Sequence, residues 1–345
     1  MKYRLNKLPV KTTNGFKIND VELDLELPSF KNSHDFDIKG DTSQIKIDKK
    51  VINESLNSKI GLELDGYQDI EITIPKGVIV EKPIFINYDF LKDDVLMSNL
   101  VINYEENSSC DFIINLCSKD DNIHFSHLKE IVTSNNNSKG NITIINFLNK
   151  SSYSFYALEN DVLENATITH TIIDLGGKTR LYNAFSNLLG KYSCNNLNTL
   201  YIGKNDELLD YNYYLKNIGE DSNNQMKVEG VLTDNSHKNF RGTIDFIKGC
   251  CNSIGEENEN CILLTDTCRS RSLPQLLCEE ENVQGAHGVS SGKVSEDRLF
   301  YLMSRGYSKK DAERLIVLGN FNSILNNIPV DDVKNMILDK IEKEL

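Results

Sequence analysis

Between residues 69 and 247 the chain is a succession of short runs rich in Ile, Val, Thr, Tyr and Phe, and no helical pattern interrupts them. The runs are DIEITI (69–74), NLVINYE (99–105), DFIINLC (111–117), NITIINFL (141–148), YSFYAL (153–158) and ATITHTIIDL (166–175). They continue through TRLYNAFSNL (179–188), NNLNTLYIG (195–203), LLDYNYYL (208–215), KVEGVLT (227–233) and RGTIDFI (241–247). β-branched and aromatic residues suit a pleated, half-buried surface, so each run reads as a strand. The segments between them, such as SNNNSKGN (134–141) and GEDSNN (219–224), have turn compositions. A sandwich, a barrel and a β-solenoid all satisfy this pattern, and the asparagine-rich turns at irregular repeats favour the solenoid.

The flanks differ from this body. Residues 1–65 show no strong periodicity apart from the alternating VELDLEL at 21–27, and read as an irregular N-terminal segment before a β core over 66–292. After Gly292 the spacing becomes helical. Ser295 is an N-cap followed by Glu296 and Asp297, with Leu299, Leu302 and Met303 at helical intervals and Gly306 as the stop. Ser308 and Asp311 open a second helix, with Ala312, Leu315, Ile316 and Leu318 apolar as far as Gly319. Pro329 introduces a third, with Val333, Met336, Ile337 and Ile341 on one face. Residues 293–345 are thus expected to form a small helical domain.

With 345 residues, 39% of them hydrophobic and 26% charged, the chain can bury a core. The net charge of −13, with Lys and Arg scattered, repels a phosphate backbone and excludes nucleic acid as a partner. The opening MKYRLNKLPVKTTNG lacks the apolar stretch of a signal peptide, and no run is long enough to cross a bilayer. A soluble, cytoplasmic protein is expected. Its eight cysteines then read as thiols and not as a disulfide framework.

Several residues could carry chemistry. His124 and His127 have a metal-like spacing, but no cysteine or carboxylate follows at a matching interval. His170 lies in a strand pattern and reads as a structural imidazole. DLGGKT (174–179) lacks the first glycine and the following helix of a phosphate-binding loop, and reads as a turn. No carboxylate pair stands out for sugar cleavage. Cys110, Cys117 and Cys194 fall in or beside strands and read as small buried hydrophobes. Cys250, Cys251, Cys261, Cys268 and Cys278 instead crowd into 29 residues, followed by His287. Soft thiolates with an imidazole suit an iron–sulfur cluster or zinc, although no CxxC pair occurs.

Two segments carry a family resemblance. EGVLTDNSHKNFRGTIDFIKG (229–249) is similar to the central block of SufB and SufD proteins, in which GVL, a polar turn, F-x-G and a strand follow in order. ILLTDTCRSRSLPQLLCEEENVQGAHGVSSGKVSEDRLFYLMSRGYSKKDAERLIV (262–317) resembles the C-terminal signature of the same family. Its elements are a leucine-rich strand, PQL, an acidic loop, HG, and E-x-x-FYL-x-SRG before a helix opened by S-x-x-[DE]-A. Together they span the last third of the chain.

The resemblance implies a right-handed parallel β-helix with a C-terminal helical domain that docks on the SufC ATPase, and a non-catalytic scaffold subunit paired with a SufB-like chain. Phe300, Tyr301, Arg305 and Gly306 fall in the docking stretch. His287 matches the family histidine at the subunit interface, where a transient iron–sulfur cluster forms and no cluster is held stably by one chain. Cys268 matches a SufB cysteine and is a candidate ligand with His287. Cys250 is kept as a further candidate at that interface, and so are Cys261 and Cys278, for which the family offers no counterpart. Gly288 stands where SufB has Glu, and Glu259 where SufB has its reactive cysteine, which places the chain in the SufD-like branch. Gly285 stands where SufD-like chains often carry a cysteine. Alternatives are a scaffold that pairs with a second copy of itself, and a structural β-solenoid unrelated to clusters.

Overall fold

The computed structural model describes residues 1–12, 15, 17–30, 34–92 and 94–345. Strands β1 (Lys2–Leu5) and β2 (Val21–Asp24) pair antiparallel. They are followed by β3 (Asp37–Lys39), β4 (Lys46–Asn57), β5 (Glu63–Ile74), β6 (Ile84–Phe90), β7 (Val95–Tyr104), β8 (Ser109–Ser118), β9 (Phe125–Ser134) and β10 (Lys139–Phe147). Then come β11 (Tyr153–Val162), β12 (Thr167–Asp174), β13 (Thr179–Leu188), β14 (Cys194–Gly203), β15 (Leu208–Asn217), β16 (Asn223–Leu232), β17 (His237–Phe246), β18 (Ile254–Leu263), β19 (Arg269–Cys278) and β20 (Gln284–Lys293). From β5 onward, odd strands stack parallel in one sheet and even strands in a second, giving a two-sheet β-solenoid of eight coils. The segment to residue 65, expected to be irregular, therefore already contains β1 to β4 and the start of β5.

Stacking in register turns the alternation of each strand into columns along the solenoid axis. One inward column of the even sheet reads Ile84, Phe112, Ile142, His170, Leu197, Met226, Glu257, His287. An inward column of the odd sheet reads Leu100, Glu130, Leu158, Ala184, Tyr213, Gly242, Pro274. The two sheets enclose a long apolar core with Ile70, Phe112, Tyr156, Tyr211 and Phe246 among its members.

The coils turn where a residue adopts positive φ. Asn107, Asn137, Asn165, Tyr192, Asp221 and Asn252 do so at the corner leading from odd to even strands, with φ between 54° and 62°. Asparagine tolerates the left-handed region better than most residues, which accounts for the asparagine-rich turns in the sequence. Ser108, Ser138, Ser193, Ser222 and Ser253 follow at five of these corners and are buried, with the Ser222 and Ser253 hydroxyls 2.9 Å apart.

Each outer face is covered by one end of the chain. On the odd sheet, Leu5, Val21, Leu25, Ile60 and Leu62 pack over Met97, Phe125, Phe155 and Leu181. There the Asn6 amide donates to Asp210 Oδ1 at 2.7 Å, and Asp210 is also ion-paired with buried Arg241. On the even sheet lie the helices α1 (Glu296–Ser304), α2 (Lys309–Leu325) and α3 (Asp331–Glu344). Val317, Phe321, Ile324, Ile337 and Ile341 bury the exposed columns of Ile145, Ile173, Leu200 and Val231. The Ser295 and Ser308 caps form, with Ser308 Oγ accepting from the Asp311 N–H at 3.2 Å and donating to its carboxylate at 2.6 Å. Helix α2, expected to stop at Gly319, continues to Leu325. A mid-helix glycine costs about 1 kcal/mol, and burial of Phe321, Ile324 and Leu325 beyond it outweighs that cost.

Candidate functional site at the open end of the solenoid

The two ends of the solenoid are unlike. At the N-terminal end β4 folds back antiparallel on β5, exposes Lys46, Lys49 and Lys50, and carries a bulge between Ile52 and Ser55. Lysines and bulges are the usual means of making a strand edge unattractive to another chain. At the C-terminal end β19 and β20 are bare edges. Every residue of β20 is exposed, and from Gln284 to Gly292 it carries no formal charge apart from any proton on His287.

His287 stands in the middle of β20 and not in a turn. Its column places it on the inward side, above Glu257, so its ring belongs to the mouth of the solenoid interior. Gly285, Val289 and Ser291 share that inward side, as do Ser270, Ser272, Pro274, Leu276 and Cys278 across the mouth on β19. A cavity of about 560 Å³ opens at one corner, lined by Phe246, Leu276, Cys278, Val283, Gly285 and Glu279 to Glu281.

One coil further in, the apolar core gives way to charge. Lys238 is fully buried, ion-paired with Glu259 and donating to Ser272 Oγ at 2.9 Å. Glu257 has 0% exposure, and neither carboxylate oxygen has a hydrogen-bond partner. Burial, reinforced by the charge on Glu259, pushes Glu257 up to about 8, so it is largely protonated at neutral pH. Sequence reasoning missed Glu257 and Lys238. The available signal was the alternation in EENENC, which puts Glu257, Glu259 and Cys261 on one face of β18.

The five clustered cysteines separate to the two edges of the flattened coil. Cys250 and Cys251 lie in the corner before β18, and Cys278 ends β19 at the same edge. Cys261 faces inward beneath Ser291, and Cys268 lies in the opposite corner, where its thiol donates to the Thr265 carbonyl at 3.2 Å. Burial raises the Cys250 and Cys261 thiols, which keeps them protonated and poor as nucleophiles or ligands. Cys278 is the exposed member. Among the described residues, no three His, Cys, Asp or Glu side chains are placed to hold a metal ion. All eight cysteines are free, and Cys110 is buried while Cys117 and Cys194 are half-buried.

The other candidates occupy structural positions. His124 is buried against Asp120 at 3.1 Å, and His127 faces the N-terminal segment, with Ser58 Oγ at 3.0 Å from Nε2. His170 is enclosed opposite Glu130 at 3.6 Å. Residues 175–178 form the turn between β12 and β13. On α1, which buries none of its residues, Phe300 and Tyr301 are 75% and 57% exposed, and Arg305 lies over the Tyr301 ring at 5.3 Å. Gly306 takes φ +98° just past the helix end, a conformation that favours glycine.

The fold and this end define a class: a parallel β-solenoid closed at one end, open at the other, and flanked by a helical tail. Comparison with known proteins then gives the family. The profile of the SufBD core domain of the SUF iron–sulfur cluster assembly system matches residues 89–320. The iron-sulfur cluster assembly protein SufD of Bacillus subtilis is 24% identical over 277 residues, covering 79% of this chain and 63% of that protein. SufD of Escherichia coli is 24% identical over 237 residues, 68% of this chain and 51% of its own length. An iron-sulfur cluster assembly SufBD family protein of Pyrococcus horikoshii is 30% identical over 170 residues, 49% of this chain and 37% of its own length. The chain belongs to the SufBD core family. It aligns with only about a third to two-thirds of the length of these relatives.

Proposed function

We propose that this chain is a non-catalytic scaffold subunit for iron–sulfur cluster assembly, pairing through its open end with a second β-solenoid and receiving a SufC-type ATPase on α1. The observation that carries the reading is the open end: an uncharged, fully exposed edge strand that presents His287 on its inward side. An edge of this kind leaves backbone N–H and C=O groups ready for another strand. Iron and sulfide are the cargo, gathered transiently where His287 meets the partner. A neutral imidazole nitrogen is a good ligand for iron, and Cys278 is the exposed thiol at the same mouth. Eight unpaired cysteines suit a reducing compartment, which supports a cytoplasmic location. No helix is long and apolar enough to cross a membrane among the described residues.

The partner is a SufB-like chain or a second copy. Arg269 and Arg271 begin β19, while Glu279, Glu280 and Glu281 follow its end, and antiparallel pairing of two copies would set cations against anions. That arrangement favours the second copy.

Replacing His287 by Ala tests the cluster role. The ring fills no closed core, so the expected stability cost is about 1 kcal/mol or less. Cluster yield should collapse while the complex persists, and unchanged yield returns His287 to a structural role. For the ATPase, the pair Phe300→Ser and Tyr301→Ser should abolish co-purification with the fold intact. Deleting the whole tail is a poorer test, because it would uncover the apolar columns of the even sheet.

A further inference from the structure

The carboxyl group of Glu257 is the least explained charge-bearing group in the molecule. It has 0% exposure and both oxygens lack a partner, whereas its neighbour Glu259 has Lys238. An unpartnered buried acid is a standing cost to the fold even when neutral. Such costs concentrate where a ligand later supplies the missing partner.

The surroundings are shaped to admit that carboxyl group. Glu257 reaches across the interior to β17, where a Cβ on Gly242 would lie 2.2 Å from its Oε1. Any other residue at 242 would occupy the space the carboxyl group uses. Above Gly242 in the same column is Pro274, and above Glu257 is His287, so these four positions form the slot at the mouth. Parallel strands lie about 4.8 Å apart, so adjacent side chains of one column can share a small ion. Lys238 is engaged by Glu259 and Ser272, which leaves Glu257 without a cation of its own.

We propose that Glu257 and His287 together form a site for one divalent cation of ferrous type, with one carboxylate and one imidazole as its protein ligands. The Glu257 proton leaves to solvent as the cation arrives, and water or a facing chain fills the remaining coordination positions. Oxygen and nitrogen donors suit such an ion before any sulfide is present. The inference deepens the scaffold reading by naming where iron is first held, and rests on that reading for the identity of the ion.

The experiment titrates the full chain, without oxygen, with Co(II) as a spectroscopic stand-in and with Fe(II). One equivalent should bind, and Glu257→Gln, which keeps the shape and removes the charge, should weaken binding at least tenfold, as should His287→Ala. Gly242→Ala keeps both ligands and should also weaken binding by displacing the carboxylate. Thermal melting of each variant guards against misreading a folding defect. Binding equal to wild type in Glu257→Gln overturns the proposal. So does binding lost on Cys278→Ser but retained in both ligand variants, or no Glu257-dependent binding up to millimolar cation. If Glu257→Gln binds cation and yields cluster normally while His287→Ala does not, the Glu257 site is wrong and the scaffold stands. If the cation binds as described but neither a second solenoid nor an ATPase associates, the cation site stands and the scaffold reading fails.

Discussion

Two histidines on β-strands show how position in the solenoid decides chemistry at the scale of single residues. His287 faces the open mouth, whereas His127 is fully buried under the N-terminal segment, and burial lowers it from 6.5 to about 4. The sign for stability follows. As pH falls below 6.5 the unfolded chain takes up the His127 proton first, so stability drops until about pH 4, below which both states are protonated and the loss stops. At 1.36 kcal/mol per unit, this one ring removes about 2–3 kcal/mol between pH 7 and 4.5. Unfolding free energies from denaturant titrations at the two pH values should therefore differ less in His127→Asn by that amount, and an unchanged difference would contradict the assignment. In the sequence His124 and His127 have a metal-type spacing but no matching third ligand, and His287 stands out through the family resemblance and not through its spacing. Spacing says nothing about which side of a strand meets solvent, and only the stacking register separates these cases.

Whole strands and turns were legible in the sequence to the extent that their composition carried the strand signal. Most strands of the middle coils, with Ile, Val, Thr, Tyr and Phe in alternation, are plain in the sequence, whereas β6 and β9 are not among the runs read there as strands. β18 (IGEENENCIL) and β20 (QGAHGVSSGK) were not plain, because one buries glutamates inward and the other faces no core at all, so neither has the apolar alternation that marks a strand. The helix caps at Ser295 and Ser308 were readable because capping is local chemistry. The stop at Gly319 was not, because burial against the even sheet overrides a weak propensity. The corners give a test at this scale. Tyr192 has φ +58° at a corner position where Asn107, Asn137, Asn165 and Asn252 serve in other coils, and the residue is 55% exposed. The left-handed conformation costs an ordinary residue about 1–2 kcal/mol, part of which asparagine avoids. Tyr192→Asn should raise stability by roughly 0.5–1 kcal/mol, read as a shift in denaturant midpoint at unchanged slope, and a loss of stability would show that the ring contributes more than the strain.

At the scale of the whole molecule, the solenoid is a stack with a direction. One end is guarded by the lysines and bulge of β4, the two outer faces are covered by the chain's own terminal segments, and at the other end the β19–β20 edge is left bare. Association is thereby channelled to one end, and the charges along that edge choose an orientation. With Arg269 and Arg271 at the start of β19 and Glu279 to Glu281 past its end, parallel pairing of two copies opposes like charges, and antiparallel pairing opposes unlike ones. Charge exchange tests this directly. A chain with Arg269→Glu and Arg271→Glu should fail to pair with itself, as should a chain with Glu279→Lys and Glu281→Lys. Mixed, the two should form a heterodimer, because each end then meets its opposite. Wild-type pairing should weaken with salt, since these side chains lie at the rim of the contact, where a Debye length of about 8 Å at physiological ionic strength screens them. Sedimentation of the separate and mixed chains distinguishes the outcomes. If both variants pair with themselves as wild type does, the edge charges do not orient the contact. If wild type alone stays a monomer at every concentration, the bare edge is reserved for a different solenoid whose charges complement it.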